Sequence, residues 1–352
     1  MVEKARFLLK ITIKEQYPWL SNFKKLKKLK YIIFFSEATP NPDLLGGKGS
    51  NIIKLYELNI NVPPGFIITT NSYNKFLKES ENCYQLIQLL ENDLNPKVVL
   101  DLSKKIKDLM LKIQIPSEII EELKQAYGIL CKETDSTSSF AVRSSANIED
   151  SSTFSFAGQA ETYLYNNSFD DILESLKNCW ISLFSPQALL YINQMKKKGI
   201  TFSLLDIQMA VIIQKMVNSQ ISGVLFTANV INNNKNEMLI NSTWGLGETI
   251  ANNMIIPDTF IINKKEFEII KAMMGKKEKI AIKNPHGSHT ILIETEPKSK
   301  VKYSLSEEQL RQLHKLGLTL ENRFNYPQDI EWAIEKDVIY TLQTRPITTL
   351  KK

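Results

Sequence analysis

Long apolar runs are missing from this chain: no stretch of about 18 consecutive apolar residues occurs, so nothing in it reads as a membrane-spanning helix. Cysteine is scarce. Cys83, Cys131 and Cys179 are odd in number, widely spaced and in no metal-ligand pattern, which excludes a disulfide framework or a zinc site and reads as reduced, buried thiols of a cytoplasmic protein. Net positive charge is missing from most of the chain. The formal charge is +6, yet residues 1–30 alone hold nine Lys and Arg against two Glu, or +7, leaving −1 for the remainder. A near-neutral body excludes nucleic acid as the main partner, because a phosphate-backbone binder needs a distributed basic surface. The basic segment has no unbroken apolar core, since Lys10 and Lys14 interrupt it, and so is no signal peptide. Phe7, Leu8, Leu9, Trp19, Leu20 and Phe23 among its charges could touch a membrane surface. A disordered leader, or a start codon set too early, is the simpler expectation. No internal repeat is visible.

What is present is globular in composition, 43% hydrophobic and 23% charged over 352 residues, a length that suits two lobes. The expected division is a basic extension over 1–30, a first lobe over 31–205 and a second over 206–352. Tyr31 to Phe35 reads as a strand, and a turn through Pro40 and Pro42 leads into Gly46-Gly47-Lys48-Gly49. Helical spacing follows from Ile52 to Leu58, stopped by Val62-Pro63-Pro64-Gly65. Lys48 then stands at a helix start, where the dipole disfavours a cation and an anion bound at that end would resolve the conflict. The loop is not a Walker A motif, which needs glycine at Pro42 and Ser or Thr at Gly49. Taken alone, the short glycine loop is as compatible with plain structure as with phosphate.

Helical stripes fill residues 72–132, one of them expected to be capped by Ser117. Phe140 to Arg143 reads as a strand entering a polar loop, Ser144 to Gln159, whose small residues suit a flap around phosphates with Arg143 at its root; a solvent loop with a surface arginine is the alternative. Thr162 to Tyr165 is a strand, and two helices follow. Met209 to Val217 is a β-branched run expected to turn at Asn218-Ser219 and return through Gly223 to Thr227. Trp244-Gly245-Leu246-Gly247-Glu248 lacks the third glycine of a dinucleotide fingerprint, which excludes a Rossmann site. Hairpins are expected from Asp258 to Glu296, and Ser306-Glu307-Glu308-Gln309 is a capping box opening a helix to Phe324.

The richest stretch closes the chain. From Pro327 to Ile347 two alternating runs flank Glu335-Lys336-Asp337, the pattern of a β-hairpin. A turn centred on Lys336 puts Asp329, Glu331, Thr341, Gln343 and Arg345 on one face and Ile330, Trp332, Leu342 and Thr344 on the other. Carboxylate, amide oxygen and guanidinium on one face would suit a magnesium polyphosphate, although a surface hairpin with an ordinary Glu and Arg pair would read the same way.

Four stretches stand in one order: Gly46-Gly47-Lys48-Gly49; Ala141-Val-Arg143-Ser-Ser-Ala146; Phe156-Ala-Gly158-Gln159; and Gln328-Asp-Ile-Glu331-Trp with Leu342-Gln343-Thr-Arg345-Pro346-Ile347. In this combination they resemble the ATP-binding domain of the phosphoenolpyruvate synthase and pyruvate phosphate dikinase family, with rifampin phosphotransferases especially similar in the first and last stretches. The resemblance covers roughly residue 31 to the C-terminus. It implies an α+β, ATP-grasp fold whose two lobes sandwich ATP. It further implies that Lys48, Arg143 and Arg345 hold phosphates, that Gly158 and Thr162 belong to the phosphate flap, and that Gln214 lies beside adenine. Glu331 and Gln343 would hold Mg²⁺, and Glu248 is a weaker candidate near the nucleotide. In the family, ATP phosphorylates a histidine on a swivelling domain, with AMP and phosphate as the other products. The histidines here, His286, His289 and His314, sit in no such carrier motif. The expected function is therefore an ATP-dependent phosphotransferase that needs a histidine-carrier domain and an acceptor-binding domain from elsewhere. The alternatives are a nucleotide-binding module without turnover and an ADP-forming ATP-grasp ligase.

Overall fold

The alternating and β-branched runs pair into antiparallel sheets in a computed structural model that describes residues 29–91, 95–134, 138–148, 161–197, 203–285, 287 and 289–350. The basic leader up to residue 28, and Gly158 with most of its polar loop, lie outside the described residues. In chain order the elements are β1 (Ile32–Phe34), α1 (Pro42–Glu57), β2 (Gly65–Ile68), α2 (Thr70–Leu77), α3 (Glu81–Leu89), α4 (Pro96–Lys112) and α5 (Ser117–Glu133). Then come β3 (Phe140–Ala146), β4 (Thr162–Asn166), α6 (Phe169–Ser182), α7 (Pro186–Lys197), β5 (Met209–Lys215), β6 (Ile221–Phe226) and β7 (Glu237–Trp244). A short α8 (Glu248–Ala251) leads to β8 (Asp258–Asn263), β9 (Ile269–Met273), β10 (Lys279–Lys283) and β11 (Thr290–Glu294). The chain closes with α9 (Pro297–Lys300), α10 (Glu307–Phe324), β12 (Gln328–Glu335) and β13 (Val338–Pro346). Helices and strands are thus mixed, as an α+β chain requires.

One sheet runs β1-β2-β5-β3-β4, a second runs β13-β12-β6-β7-β8-β9, and β10 pairs with β11 apart from both. This arrangement corrects the expectation that Met209 to Thr227 forms one hairpin. β5 lies between β2 and β3 in the first sheet, whereas β6 lies between β12 and β7 in the second. The physical reason is legible in β5 itself: Met209 to Gln214 are all buried, the pattern of a central strand covered on both faces rather than an alternating one. The passage from one sheet to the other therefore comes between Lys215 and Ile221.

Each sheet has its own core. On the first sheet Trp180 of α6 packs on Phe76 at 4.7 Å and Tyr73 at 6.4 Å, with apolar residues of α2 to α7 around them. In the second, Trp332 joins Ile330, Leu225, Leu313 and Leu320 under α10, whose capping box is formed by Ser306 and Gln309 as its sequence predicts. Gly223 is required there, because a Cβ would meet Asn241 O at 2.0 Å and the Trp332 ring at 2.5 Å. The two sheets are joined by apolar packing, Leu55 of α1 lying buried in the second core, and by polar contacts: Asn51 Nδ2 donates to Thr344 O (3.2 Å), Thr341 N to Asn61 O (2.8 Å), and Lys283 Nζ to Ser139 Oγ (2.8 Å).

At α5 two details depart from or extend the sequence reading. Ser117 is the first helical residue and makes no cap; Pro116 precedes it in the capping position. Glu133, the last residue of the same helix, has its carboxyl pushed up to about 7 by burial. Because the folded state holds this proton more tightly than the unfolded chain, stability falls as pH rises from about 4.5 to about 7. Glu133→Gln should flatten that part of the pH profile. Thermal melts between pH 5 and 8 that stay parallel in mutant and parent would refute the assignment.

Candidate functional site

The closing hairpin turns through Lys336 and Asp337, both left-handed (φ 50° and 63°), the signature of a two-residue type I′ turn. From that turn the register pairs Trp332 with Thr341, and unbroken alternation would next oppose Glu331 to Leu342. Instead the register shifts, Leu342 is passed over, and Glu331 pairs with Gln343 while Asp329 pairs with Arg345. A one-residue bulge therefore brings the four polar residues onto one face. Thr341, expected on that face, lies opposite Trp332, because it precedes the bulge.

Arg143 is what converges on this face. It projects from β3, is 9% exposed, and reaches from the first sheet to the second. Its Nη2 donates to Gln343 Oε1 (2.6 Å) and Glu331 Oε2 (3.3 Å), and its Nη1 to the carbonyl of the bulged Leu342 (3.0 Å). Nε is buried with no hydrogen-bond partner among the described residues. The polar loop expected to begin at Ser144 is still strand here: β3 runs to Ala146 and is buried throughout, so Arg143 is held in the interior and is no surface side chain.

Lys48 reaches the same strand from α1. α1 is broken at Gly46 (φ 71°, ψ 171°), a conformation that glycine adopts without a Cβ penalty. A Cβ at Gly46 would also lie 2.0 Å from Ser145 O. Past the break the helix restarts, and Lys48, 7% exposed, donates from Nζ to Ser144 O (3.1 Å). Lys48 and Arg143 are thus assembled by two adjacent residues of β3. Arg345 lies two pairs further along the hairpin from Gln343, its Nε donating to Asp329 Oδ2 (2.8 Å). Burial pushes the Asp329 carboxyl up, against the opposing pull of Arg345.

The remaining candidates are placed around this centre. Thr162 pairs with Arg143 across β3 and β4. Gln214 on β5 pairs with Ala141, two residues from Arg143, and its buried amide donates to Pro63 O (3.2 Å). Glu248 opens α8 and stands near Tyr165, whose hydroxyl is pushed up to about 12 by burial first and by this carboxylate second. No described contact joins Glu248 to the Arg143 cluster. Three contributors carried no signal in the residue types themselves: the Leu342 carbonyl, the Ser144 carbonyl and the Ser145 hydroxyl.

The geometry is that of two sheets bridged by an arginine that meets a carboxylate and an amide, with a lysine on the adjoining helix. Residues 42–352 match the family described as "Pyruvate phosphate dikinase, AMP/ATP-binding domain". The chain belongs to this family. It is 36% identical over 366 residues to the phosphoenolpyruvate synthase of Pyrococcus furiosus, covering 92% of this chain and 44% of that protein. It is also 36% identical over 328 residues to a probable phosphoenolpyruvate synthase of Methanocaldococcus jannaschii, covering 92% of this chain and 27% of that one. The rifampicin phosphotransferase of Bacillus subtilis is 35% identical over 314 residues, 87% of this chain and 34% of that protein. The chain therefore spans less than half the length of these relatives. Among the described residues, no helix is long and apolar enough to cross a membrane.

Proposed function

We propose that this ATP-grasp domain binds Mg-ATP between its lobes and transfers a phosphoryl or pyrophosphoryl group to a histidine on a separate swivelling domain, releasing AMP and phosphate. The observation that carries the reading is the bonding of Arg143 in the first sheet to Glu331 and Gln343 in the second. Two oxygen donors already converge on one cationic nitrogen, which is the arrangement a hard divalent cation needs. Glu331 and Gln343 would hold Mg²⁺, and when bound the ion would neutralise phosphate charge. Among the described residues no cluster of three His, Cys, Asp or Glu gathers for a metal. A two-ligand protein site of this kind suits Mg²⁺, which commonly completes its shell with phosphate oxygens and water.

Lys48, Arg143 and Arg345 would then surround the phosphate chain with three cations, supplying the positioning and electrostatic stabilisation on which phosphoryl transfer depends. Thr162, beside Arg143, would meet the phosphates with Gly158, and Gln214 near the passage between lobes would face adenine. The acceptor, whether pyruvate, an antibiotic or another compound, would be supplied by a domain outside these residues. The decisive experiment incubates the chain with Mg-ATP and a separately expressed histidine domain of a phosphoenolpyruvate synthase. AMP and phosphohistidine support the reading, ADP redirects it to a ligase, and tight binding without turnover reduces it to a nucleotide-binding module.

Glu331→Gln tests the metal assignment on its own. The side chain is 42% exposed and the amide retains an acceptor for Arg143, so folding should survive. Affinity for Mg-ATP should fall by at least about tenfold, about 1.4 kcal/mol, while affinity for ATP in excess chelator changes little. Calorimetry showing equal Mg-ATP affinity in mutant and parent would remove Glu331 from the ligand set.

A further inference from the structure

The break in α1 coincides with a side chain from another element. In an unbroken α-helix the Gly49 N–H would donate to the Leu45 carbonyl four residues earlier. Here Gly49 N donates to Ser145 Oγ (3.0 Å), and Ser145 Oγ donates to Leu45 O (3.0 Å). The hydroxyl is inserted into the rung as a relay: it accepts from the N–H on one side and donates to the carbonyl on the other, so both groups stay satisfied while the rung opens. Ser145 is fully buried, so no water competes for either bond.

The inserted rung encloses the residue whose backbone departs from the helix. Gly46, Gly47 and Lys48 lie between its two ends, and Gly46 alone takes the left-handed φ of 71°. The backbone of β3 is pressed against the break, since a Cβ on Gly46 would lie 2.0 Å from Ser145 O and 2.2 Å from Ser145 Oγ. The same strand accepts Lys48 Nζ on the carbonyl of Ser144 and sends Arg143 to the hairpin. Three consecutive residues of β3 thus fix the hairpin, the lysine and the glycine segment relative to one another.

We propose that Ser145 is a positioning residue of the phosphate site: its hydroxyl holds α1 open at Gly46 and thereby sets the start of the second helical segment and the reach of Lys48. The inference rests on the reading of Lys48 as a phosphate-binding cation. An ordinary buried serine would affect stability alone, whereas this one also fixes backbone geometry and ligand affinity. Without the hydroxyl, Leu45 and Gly49 can bond directly, the helix becomes continuous through Gly46, and Lys48 turns away from Ser144.

The test is Ser145→Ala, with a thermal melt to establish folding and two readouts. Backbone chemical shifts of ligand-free protein report the conformation of Gly46, and calorimetry with Mg-ATP reports the site. The expected result is a helical Gly46 together with at least about a tenfold loss of Mg-ATP affinity, the scale of one lost hydrogen bond to a charged group or its equivalent in misplacement. A Gly46 that stays left-handed overturns the proposal whatever the affinity, and a helical Gly46 with parental affinity overturns it equally. If the parent itself fails to bind Mg-ATP, the nucleotide reading falls and this assignment of Lys48 with it, while the shifts still judge the relay. Should the alanine variant not fold, Ser145→Cys, which keeps a side chain of similar size but bonds weakly, takes its place in both measurements with the same two overturning results.

Discussion

Arg143→Lys should weaken Mg-ATP binding and histidine phosphorylation by at least about a hundredfold, about 2.7 kcal/mol, in a protein that still folds. The guanidinium meets Gln343, Glu331 and the Leu342 carbonyl from two nitrogens at once. A lysine ammonium is a single point charge on a differently shaped stem and cannot reproduce that planar fork. The exchange keeps the positive charge, so the loss isolates geometry from electrostatics. Alanine is a poorer test, because it would leave three oxygen acceptors without their donor beside the cavity vacated by a side chain that is only 9% exposed. The same guanidinium holds the two candidate metal ligands together in the ligand-free protein, so its loss should also loosen the coupling between lobes. The measurements are calorimetry with Mg-ATP and single-turnover AMP formation with a supplied histidine domain, each beside a thermal melt. Parental affinity and rate in the lysine variant would remove Arg143 from the site.

The hairpin shows how far alternation carries a reading. A turn centred on Lys336 would set Glu331 opposite Thr341. The observed turn uses both Lys336 and Asp337, which shifts the partner by one, and the bulge at Leu342 shifts it by one again. Parity is restored, so Asp329, Glu331, Gln343 and Arg345 share the face that alternation assigned them, but the residue beside Glu331 is Gln343. Nothing in the residue types marks a bulge, because the extra residue is an ordinary leucine whose contribution is its backbone carbonyl. Thr341 falls on the other side for the same reason.

Other limits were physical in kind. The glycine loop and the helical spacing after it place Lys48 at a helix start, as in the structure, yet the side chain that meets the helix at that start is Ser145, 96 residues from Gly49, which no local pattern can name. The run from Met209 to Ile213 advertised a doubly buried strand, and the nearby Asn218-Ser219 suggested a hairpin; the requirement that both faces of β5 be covered decided its place. Without further context Arg143 reads more simply as a surface residue of a solvent loop, whereas the strand continues, buried, through Ala146. Family resemblance names the candidate site residues, and the fold explains why several of them meet.

Lys277→Met should cost about 3 to 5 kcal/mol of stability, because it leaves a buried carboxylate without its counter-ion. Lys277 and Asp258 are both fully buried and form an ion pair, and Lys277 Nζ also donates to Gly275 O (3.0 Å). Asp258 Oδ1 accepts from Gly275 N (2.9 Å), while Oδ2 accepts from Ser304 N (2.7 Å) and Ser304 Oγ (2.8 Å). The carboxylate therefore fastens the residues just after β9 and those just before α10 to the start of β8. Between those two fastenings lies the excursion that carries β10 and β11, including Lys283, which reaches Ser139 beside β3. The three remaining donors to Asp258 soften the loss, which places the expected value toward the lower end of the range. Adding Asp258→Asn removes the orphaned charge, so the double variant should be less destabilised than the two single variants summed, by at least about 1 kcal/mol. Urea unfolding at pH 7 of the parent, both single variants and the double variant supplies the four values. Additive effects, or a single-variant loss below about 1 kcal/mol, would show that the pair does not fasten this excursion.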